Sequence, residues 1–328
     1  MPKLPITFAS CRYDRMEALR AGEVQVEGVD LNMLVFPAGR EIFDRMVGGR
    51  EFEVAELSAS EFIALHARGD SPFVAIPVFP SRIFRHGFVF INTKAGITTA
   101  KDLEGRRVGV PLYTQTAAIW ARGLLDREFG VDLGTIRWVQ GAVEHGGSHG
   151  RPSAPPLLKP VEIEVNTSGR SLSELLAAGE IDAYLGSRKI DGLGRDPRVA
   201  RLFPDFRARE RAYYERTHVF PIMHLIAIRR DVHERHPWLA TSLFKAFTES
   251  KRRALARLRY GGSLGTMLPW QLADMDEIDE LFAGDPFPYG VEPNRPTLET
   301  LVDHMARQHF IATPMPIEEL FVAVRAGA

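Results

Sequence analysis

A single cysteine, Cys11, in 328 residues leaves the chain without the means for an intrachain disulfide, which favours a reducing compartment. Cys11 itself reads either as a nucleophile or as a small unreactive residue at a turn. Neither sign of charge is in excess, since 41 Lys and Arg stand against 42 Asp and Glu. A net charge of -1 with dispersed basic residues removes the electrostatic footprint of a nucleic-acid binder. Long apolar runs are missing too, so no membrane span is expected. The opening MPKLPITFASCRYDR turns charged before the apolar core of a secretory signal can form. The expectation is a cytoplasmic protein, and a truncated mature form would look the same.

Several chemical signatures are also lacking. There is no phosphate-binding P-loop, and Gly192 and Gly194 lack the preceding strand, third glycine and helix of a dinucleotide fingerprint. No HExxH, EF-hand or GxSxG motif occurs. His145 and His149 have metal-ligand spacing but no nearby cysteine or acidic cluster, so they read as part of a solvated loop, as do His233 and His236 before Pro237. No metal, nucleotide or flavin is called for.

What is present is an alternation of short β-rich runs with helical periods, the pattern of an α/β fold of about two domains. ITFAS and VDLNMLVF read as strands, with Met16 and Leu19 on a short helix between them. Ile42, Phe43, Met46 and Val47 form the apolar stripe of a second helix, ended by Gly48 and Gly49. FEVAELS leads into the helix EFIALHARGD, and RRVGVP is a strand. Next comes the helix TAAIWARGLL, capped by Thr114 or Thr116, with amides at its N-terminus that could receive an anion. Gly141 to Pro160 is a surface connection. LSELLAAGE is a helix, IDAYLGSR a strand, and His224 stands in the apolar run VFPIMHLIAIRRD. A long helix, PWLATSLFKAFTESKRRALARL, and further helical periods close the chain.

The segment FPSRIFRHG carries the most chemistry. It interleaves Arg82, Arg85 and His86 with Phe79, Ile83 and Phe84, between the apolar runs PFVAIPV and FVFIN. Arginine grips a carboxylate through two parallel charge-assisted hydrogen bonds, histidine moves a proton near neutral pH, and phenylalanine covers a ring face. Loops at strand ends of an α/β scaffold are where such groups gather. The expected ligand is a small anionic aromatic molecule.

The blocks EFEVAELSASEF, ARGDSPFVAIPVFPSRIFRHG, TAAIWARGLL, AAGEIDAYLG, HVFPIMHLIAIRRDV and HPWLATSLFKAF together resemble the 4,5-dihydroxyphthalate decarboxylase family, from about Ile6 to Phe321. Cys11 and Arg12 stand where that resemblance leads one to expect a Gly-Asp type pair, and His218 stands in place of an expected glycine. The resemblance implies a two-lobed type II periplasmic-binding-protein-like α/β fold with an interlobe cleft for the ligand. Lobe 1 would comprise residues 1–92 and 222–328, and lobe 2 residues 93–221.

It also implies the family reaction, loss of one carboxylate from 4,5-dihydroxyphthalate to give 3,4-dihydroxybenzoate and carbon dioxide. That chemistry needs an acid near the carboxylated ring carbon, an acceptor at the phenol and cations for the dianion. On this reading Arg82 and Arg85, with Arg12, bind carboxylate, and His86 donates the proton. His224 and Glu56 polarise the phenol, while Tyr13, Ser58, Thr114 and Thr116 complete the polar rim. Two other classes stay open: a solute-binding protein for a small anionic aromatic or sulfonate ligand, and a different cytoplasmic enzyme on the same fold, such as a dehydratase of menaquinone precursor synthesis. The partner expected is a small aromatic carboxylate, with no nucleic acid and no membrane; self-association is left open.

Overall fold

The structure, a computed structural model, describes residues 2–150 and 155–325. In chain order the strands are β1 (Leu4–Cys11), β2 (Val29–Phe36), β3 (Val54–Ser58), β4 (Phe73–Arg82), β5 (Val89–Asn92), β6 (Arg107–Val110), β7 (Arg137–Gln140), β8 (Ile163–Val165), β9 (Ala183–Leu185), β10 (Val199–Arg201) and β11 (Ile222–Arg229). The helices are α1 (Glu17–Arg20), α2 (Gly39–Gly49), α3 (Ala59–His66), α4 (Thr116–Phe129), α5 (Leu172–Ala178), α6 (Phe206–Thr217), α7 (Arg230–Arg235), α8 (Trp238–Arg259), α9 (Gln271–Phe282) and α10 (Arg295–Arg307). Residues 151–154, within the expected connection from Gly141 to Pro160, lie outside the described residues.

The chain divides into two compact units. The first comprises Met1–Arg82, His224–Leu298 and Met315–Ala328, and the second Ile83–Met223 and Glu299–Pro314. The first unit's sheet has the order β2-β1-β3-β11-β4. Every residue of β3 and β4 is buried, which is why FEVAELS and PFVAIPV read as apolar runs, whereas the edge strand β2 alternates between covered and exposed positions. Phe8, Val54, Ile76 and Ile226 from the sheet meet Leu243 and Phe247 of α8 in one core. The edge of the Phe8 ring meets Phe247 at 5.3 Å between centroids.

The second unit's sheet has the order β10-β5-β9-β6-β7-β8, with Phe90, Val139, Tyr184 and Val199 packed against Leu172 and Leu176 of α5. The two units differ from the expected lobe boundaries in three places, the smallest being residues 222–223, which fall in the second unit. Residues 83–92 join the second unit because β5 forms antiparallel ladders with both β9 and β10. Residues 299–314 join it as well, because Arg122 of α4 donates to Gln308 (2.8 Å) and Gln308 donates to the Ile119 carbonyl (2.9 Å). The chain therefore passes between units inside FPSRIFRHG, leaving Arg82 in the first and Arg85 and His86 in the second.

Two helix ends also differ from expectation. Gly48 and Gly49 lie within α2, and Arg50 makes the left-handed turn that ends it. The residue flanking the start of α4 is Gln115, with no side-chain cap, so neither Thr114 nor Thr116 caps that helix.

Candidate active site

In the first unit, neighbouring strands bring together side chains far apart in sequence. β1 runs parallel to β3, pairing Phe8 with Val54 and Ala9 with Ala55, so the next step along sets Ser10 beside Glu56. β11 runs antiparallel to β3, with His224 opposite Ser58 and Ile226 opposite Glu56. His224 is thus diagonal to Glu56 on one face of the sheet, within reach of a long side chain. These groups stand where the parallel strands β1 and β3 end, the usual place for ligand groups in an α/β sheet.

Glu56 is fully buried and has four hydrogen-bond donors. Its Oε2 accepts from the Cys11 backbone N–H at 2.8 Å and the Ser10 hydroxyl at 3.0 Å. Its Oε1 accepts from the Tyr13 hydroxyl at 2.6 Å and from His224 Nδ1. Burial alone would raise the carboxyl's pKa, but the His224 charge and the hydrogen bonds from His224, Tyr13 and Cys11 overcome it and hold the group below its ordinary value. An ionised carboxylate has no proton to give, so Nδ1 of His224 is the donor. That fixes the orientation of the ring, and in the neutral imidazole it leaves Nε2 as the acceptor nitrogen. The His224 side chain retains 23% of its exposure, and Phe43 of α2 meets its ring edge-on at 5.0 Å.

The surrounding groups stay protonated. Burial and the Glu56 charge push the Tyr13 phenol far above its ordinary range, so it serves as a fixed donor. Arg15 lies over the Tyr13 ring at 4.2 Å and donates from Nε to the Pro80 carbonyl at 2.8 Å. The Cys11 thiol is pushed up to about 12 by burial and by Glu56, which decides against a nucleophile and for the unreactive reading. Arg12 is exposed, between Cys11 and Tyr13. Ser58 is buried where β3 ends and α3 begins, its hydroxyl 3.4 Å from that of Ser60.

The FPSRIFRHG cations fare differently from what their spacing suggests. Arg82, buried in the first unit, donates to the Asn294 side-chain oxygen and to the Pro288 carbonyl (3.4 Å), so it braces the segment before α10 instead of presenting a free fork. Arg85, buried in the second unit, has among the described residues only the Gly186 carbonyl at 3.5 Å and the Met223 thioether at 2.6 Å as acceptors. Burial lowers its pKa to about 10, so it remains charged at neutral pH. Among the described residues its Nε has no hydrogen-bond partner, which leaves donor capacity for an anion.

His86 lies in the second unit. Its imidazole is buried against Tyr213 (5.4 Å between centroids) and Phe203 (6.2 Å), beside a pocket of about 10 Å³. Burial, together with Arg209 and Arg216, pushes its pKa down to about 4. It is neutral at neutral pH and is not the imidazolium that a proton donor to the ring carbon needs to be. In the same unit Thr116 is the buried first residue of α4, and Thr114 is partly covered in the turn before it. The first unit therefore brings Tyr13, Glu56, Ser58 and His224 together, with Arg12 alongside.

Sequence reasoning passed over Ser10, Phe43 and Glu210. Ser10 had a signal: it continues the inward face of Ile6 and Phe8 along β1, where a polar residue needs a partner. Glu210 had none, since its carboxyl, pushed up to about 7 by burial, is significant only through the Gly87 N–H it accepts (3.2 Å) and through Arg85.

No family model matches the chain. A 4,5-dihydroxyphthalate decarboxylase of Comamonas testosteroni is 38% identical over 311 residues, covering 94% of this chain and 92% of the relative. A second protein of that description, from Pseudomonas putida, is 38% identical over 213 residues, covering 61% and 81%. Among solved structures, the periplasmic aliphatic sulphonate-binding protein SsuA of Escherichia coli superposes with a TM-score of 0.53 at 12% identity, covering 97% of each chain. The alkanesulfonate-binding SsuA of Xanthomonas axonopodis pv. citri gives 0.51 at 11% identity, covering 98% of each. At such identities the likeness shows the fold, that of the type II periplasmic binding proteins.

Proposed function

The chain belongs to the 4,5-dihydroxyphthalate decarboxylase family, and we propose that it converts 4,5-dihydroxyphthalate to 3,4-dihydroxybenzoate and carbon dioxide. The observation that carries this reading beyond resemblance is the Glu56–His224 pair, an ionised buried carboxylate hydrogen-bonded to Nδ1 of a histidine whose Nε2 takes a proton when the ring is neutral. Each carboxylate of the substrate is para to one hydroxyl. His224 Nε2 takes the proton of the hydroxyl para to the departing carboxylate, and the oxygen's electrons move into the ring. The ring carbon gains a proton from solvent, its bond to the carboxylate breaks with the electron pair left on the ring, carbon dioxide departs, and the phenolate oxygen recovers its proton from His224.

Glu56 acts through His224 in this scheme. It holds the imidazole's tautomer and orientation, and its negative charge lies beside the imidazolium that forms. Tyr13 and Ser10 keep Glu56 in place. Arg12, exposed beside these groups, is the cation of the first unit proposed to meet a substrate carboxylate.

Incubating the purified protein with 4,5-dihydroxyphthalate and a metal chelator, while trapping carbon dioxide and identifying the aromatic product, tests the reaction. Binding without carbon dioxide release would favour a solute-binding protein instead. His224→Gln should lower turnover about 100-fold or more, with a smaller change in substrate affinity. His86→Gln should keep near-native turnover; the reverse pattern would overturn the assignment.

A further inference from the structure

Arg15 follows Tyr13 by two positions, in the turn after β1, and takes no part in the proton transfer proposed for His224 and Glu56. Its surroundings are not those of a solvated arginine beside an exposed acid. The Arg15 side chain keeps 15% of its exposure, against 57% for its neighbour Asp14. The guanidinium lies over the Tyr13 ring at 4.2 Å and over the Phe287 ring at 4.4 Å, so two aromatic rings hold one cation. Its Nε and one terminal nitrogen both donate to the Pro80 carbonyl, Nε at 2.8 Å. The 3.0 Å contact with the Asp14 carboxylate is at the surface, where an ion pair contributes little. All of these residues belong to the first unit.

The groups that hold Arg15 are themselves fixed. Pro80 is buried in β4. Phe287 lies in the segment after α9, where its carbonyl accepts from the buried Lys251 at 2.7 Å and its N–H donates to Asp285 at 2.9 Å. On the other side, the Tyr13 hydroxyl donates to Glu56 Oε1, the same oxygen that accepts from His224 Nδ1. Two donors on one oxygen are coupled, since the loss of one lets the oxygen bind the other more strongly. The aim of the Tyr13 ring therefore bears on His224, and Arg15 fastens that ring to β4 and to the Phe287 segment. A lysine in its place would keep the charge and lose both the planar stacking and the paired N–H groups.

We propose that Arg15 is a positioning residue of the decarboxylation: it holds Tyr13 on Glu56 and thereby sets the bond between Glu56 and His224. This rests on the reading of His224 as the group that takes the phenol proton. In the full chain, the His224 Nδ1–H bound to a carboxylate should give a far-downfield proton resonance that is absent from His224→Gln. Tyr13→Phe and Arg15→Lys should each keep the wild-type circular dichroism and move that resonance further downfield, because Oε1 then serves His224 alone. The double variant should move it no more than either change does singly. Each single variant should lower kcat roughly tenfold with KM changed less than about twofold, as the imidazole is drawn off its line to the substrate. Adding Arg15→Lys to Tyr13→Phe should cost less than about twofold more. Phe287→Leu, which removes one ring and leaves the arginine, should repeat the effect of Arg15→Lys in smaller measure. An unmoved resonance in folded Arg15→Lys, or losses that multiply in the double variant, would overturn the proposal. So would a raised KM at unchanged kcat, the mark of direct substrate contact. The resonance needs no turnover, so a protein that releases no carbon dioxide from 4,5-dihydroxyphthalate would refute the proposed reaction while the resonance still decides the link from Arg15 to His224.

Discussion

Glu56 shows how a single residue can be buried and charged at once. Desolvation opposes its ionised form, and four donors from two segments of chain outweigh it. Replacing it with glutamine sets an amide NH₂ against groups that are themselves donors. Glu56→Gln should therefore lose about 2–4 kcal/mol of stability as well as turnover, because a buried network missing one acceptor leaves its partners unsatisfied. Tyr13→Phe is the milder case, removing one donor at a stability cost of about 1–2 kcal/mol. The pH dependence has a definite sign. A carboxyl whose folded pKa is depressed adds stability above its unfolded value and loses it as pH falls through the folded one. Because Tyr13 contributes to that depression, the stability gap between wild type and Tyr13→Phe should narrow as pH is lowered from about 7 toward about 3. Urea titrations across that range would show it, and a constant gap would mean that Tyr13 does not act through the Glu56 charge.

Among the elements, α4 and α10 show why a residue that propensity disfavours can be required. Gly123 lies inside α4, where glycine costs about 1 kcal/mol relative to alanine. A Cβ at that position would overlap the His304 ring of α10, whose edge also packs on Trp120 at 5.3 Å. The close approach of the two helices needs the missing side chain. Gly123→Ala should lower stability by about 1–3 kcal/mol, the usual cost of overpacking, although alanine is the better helix former. A further His304→Ala change should recover part of the loss, so the two substitutions would be non-additive. Equal or greater stability in Gly123→Ala would deny the close contact. At the end of α6, His218 adopts φ 53, the left-handed conformation that glycine takes most easily, which gives a backbone reason for the glycine expected there.

For the whole molecule, the buried histidines of the second unit set the acid response. His86 and His304 are each pushed down from 6.5 to about 4, chiefly by burial, so the folded protein keeps them neutral while the unfolded chain protonates them. Their contribution to stability is present above about pH 6.5 and is lost as pH falls toward 4. Glu210 works in the opposite direction. Its carboxyl is raised from 4.5 to about 7, so it adds stability at low pH and loses it as pH rises through 7. His304→Gln should make the loss of stability between about pH 6.5 and 4 shallower, and Glu210→Gln should make it steeper. Melting temperatures measured in steps over that window test both signs. Unchanged slopes would mean that these groups are solvated in the native state.

By itself the amino-acid sequence determined the elements and much of the cast of the site. Alternation along ITFAS and VDLNMLVF, unbroken apolar runs in FEVAELS and PFVAIPV, and the stripe of Ile42, Phe43 and Met46 are local patterns. A strand or helix declares its buried face through neighbours two to four residues away. Family resemblance, carried by long ordered blocks, supplied Glu56, His224 and Tyr13. Only the tertiary structure decided which of these residues meet. Glu56 and His224 are 168 positions apart and become partners because β11 enters the sheet beside β3. The three cations of FPSRIFRHG look alike in sequence, yet one braces Asn294, one is a buried arginine with weak acceptors, and one is a neutral imidazole among aromatic rings. Burial and charge state depend on whatever chain folds against a side chain, and such partners carry no mark in the local pattern.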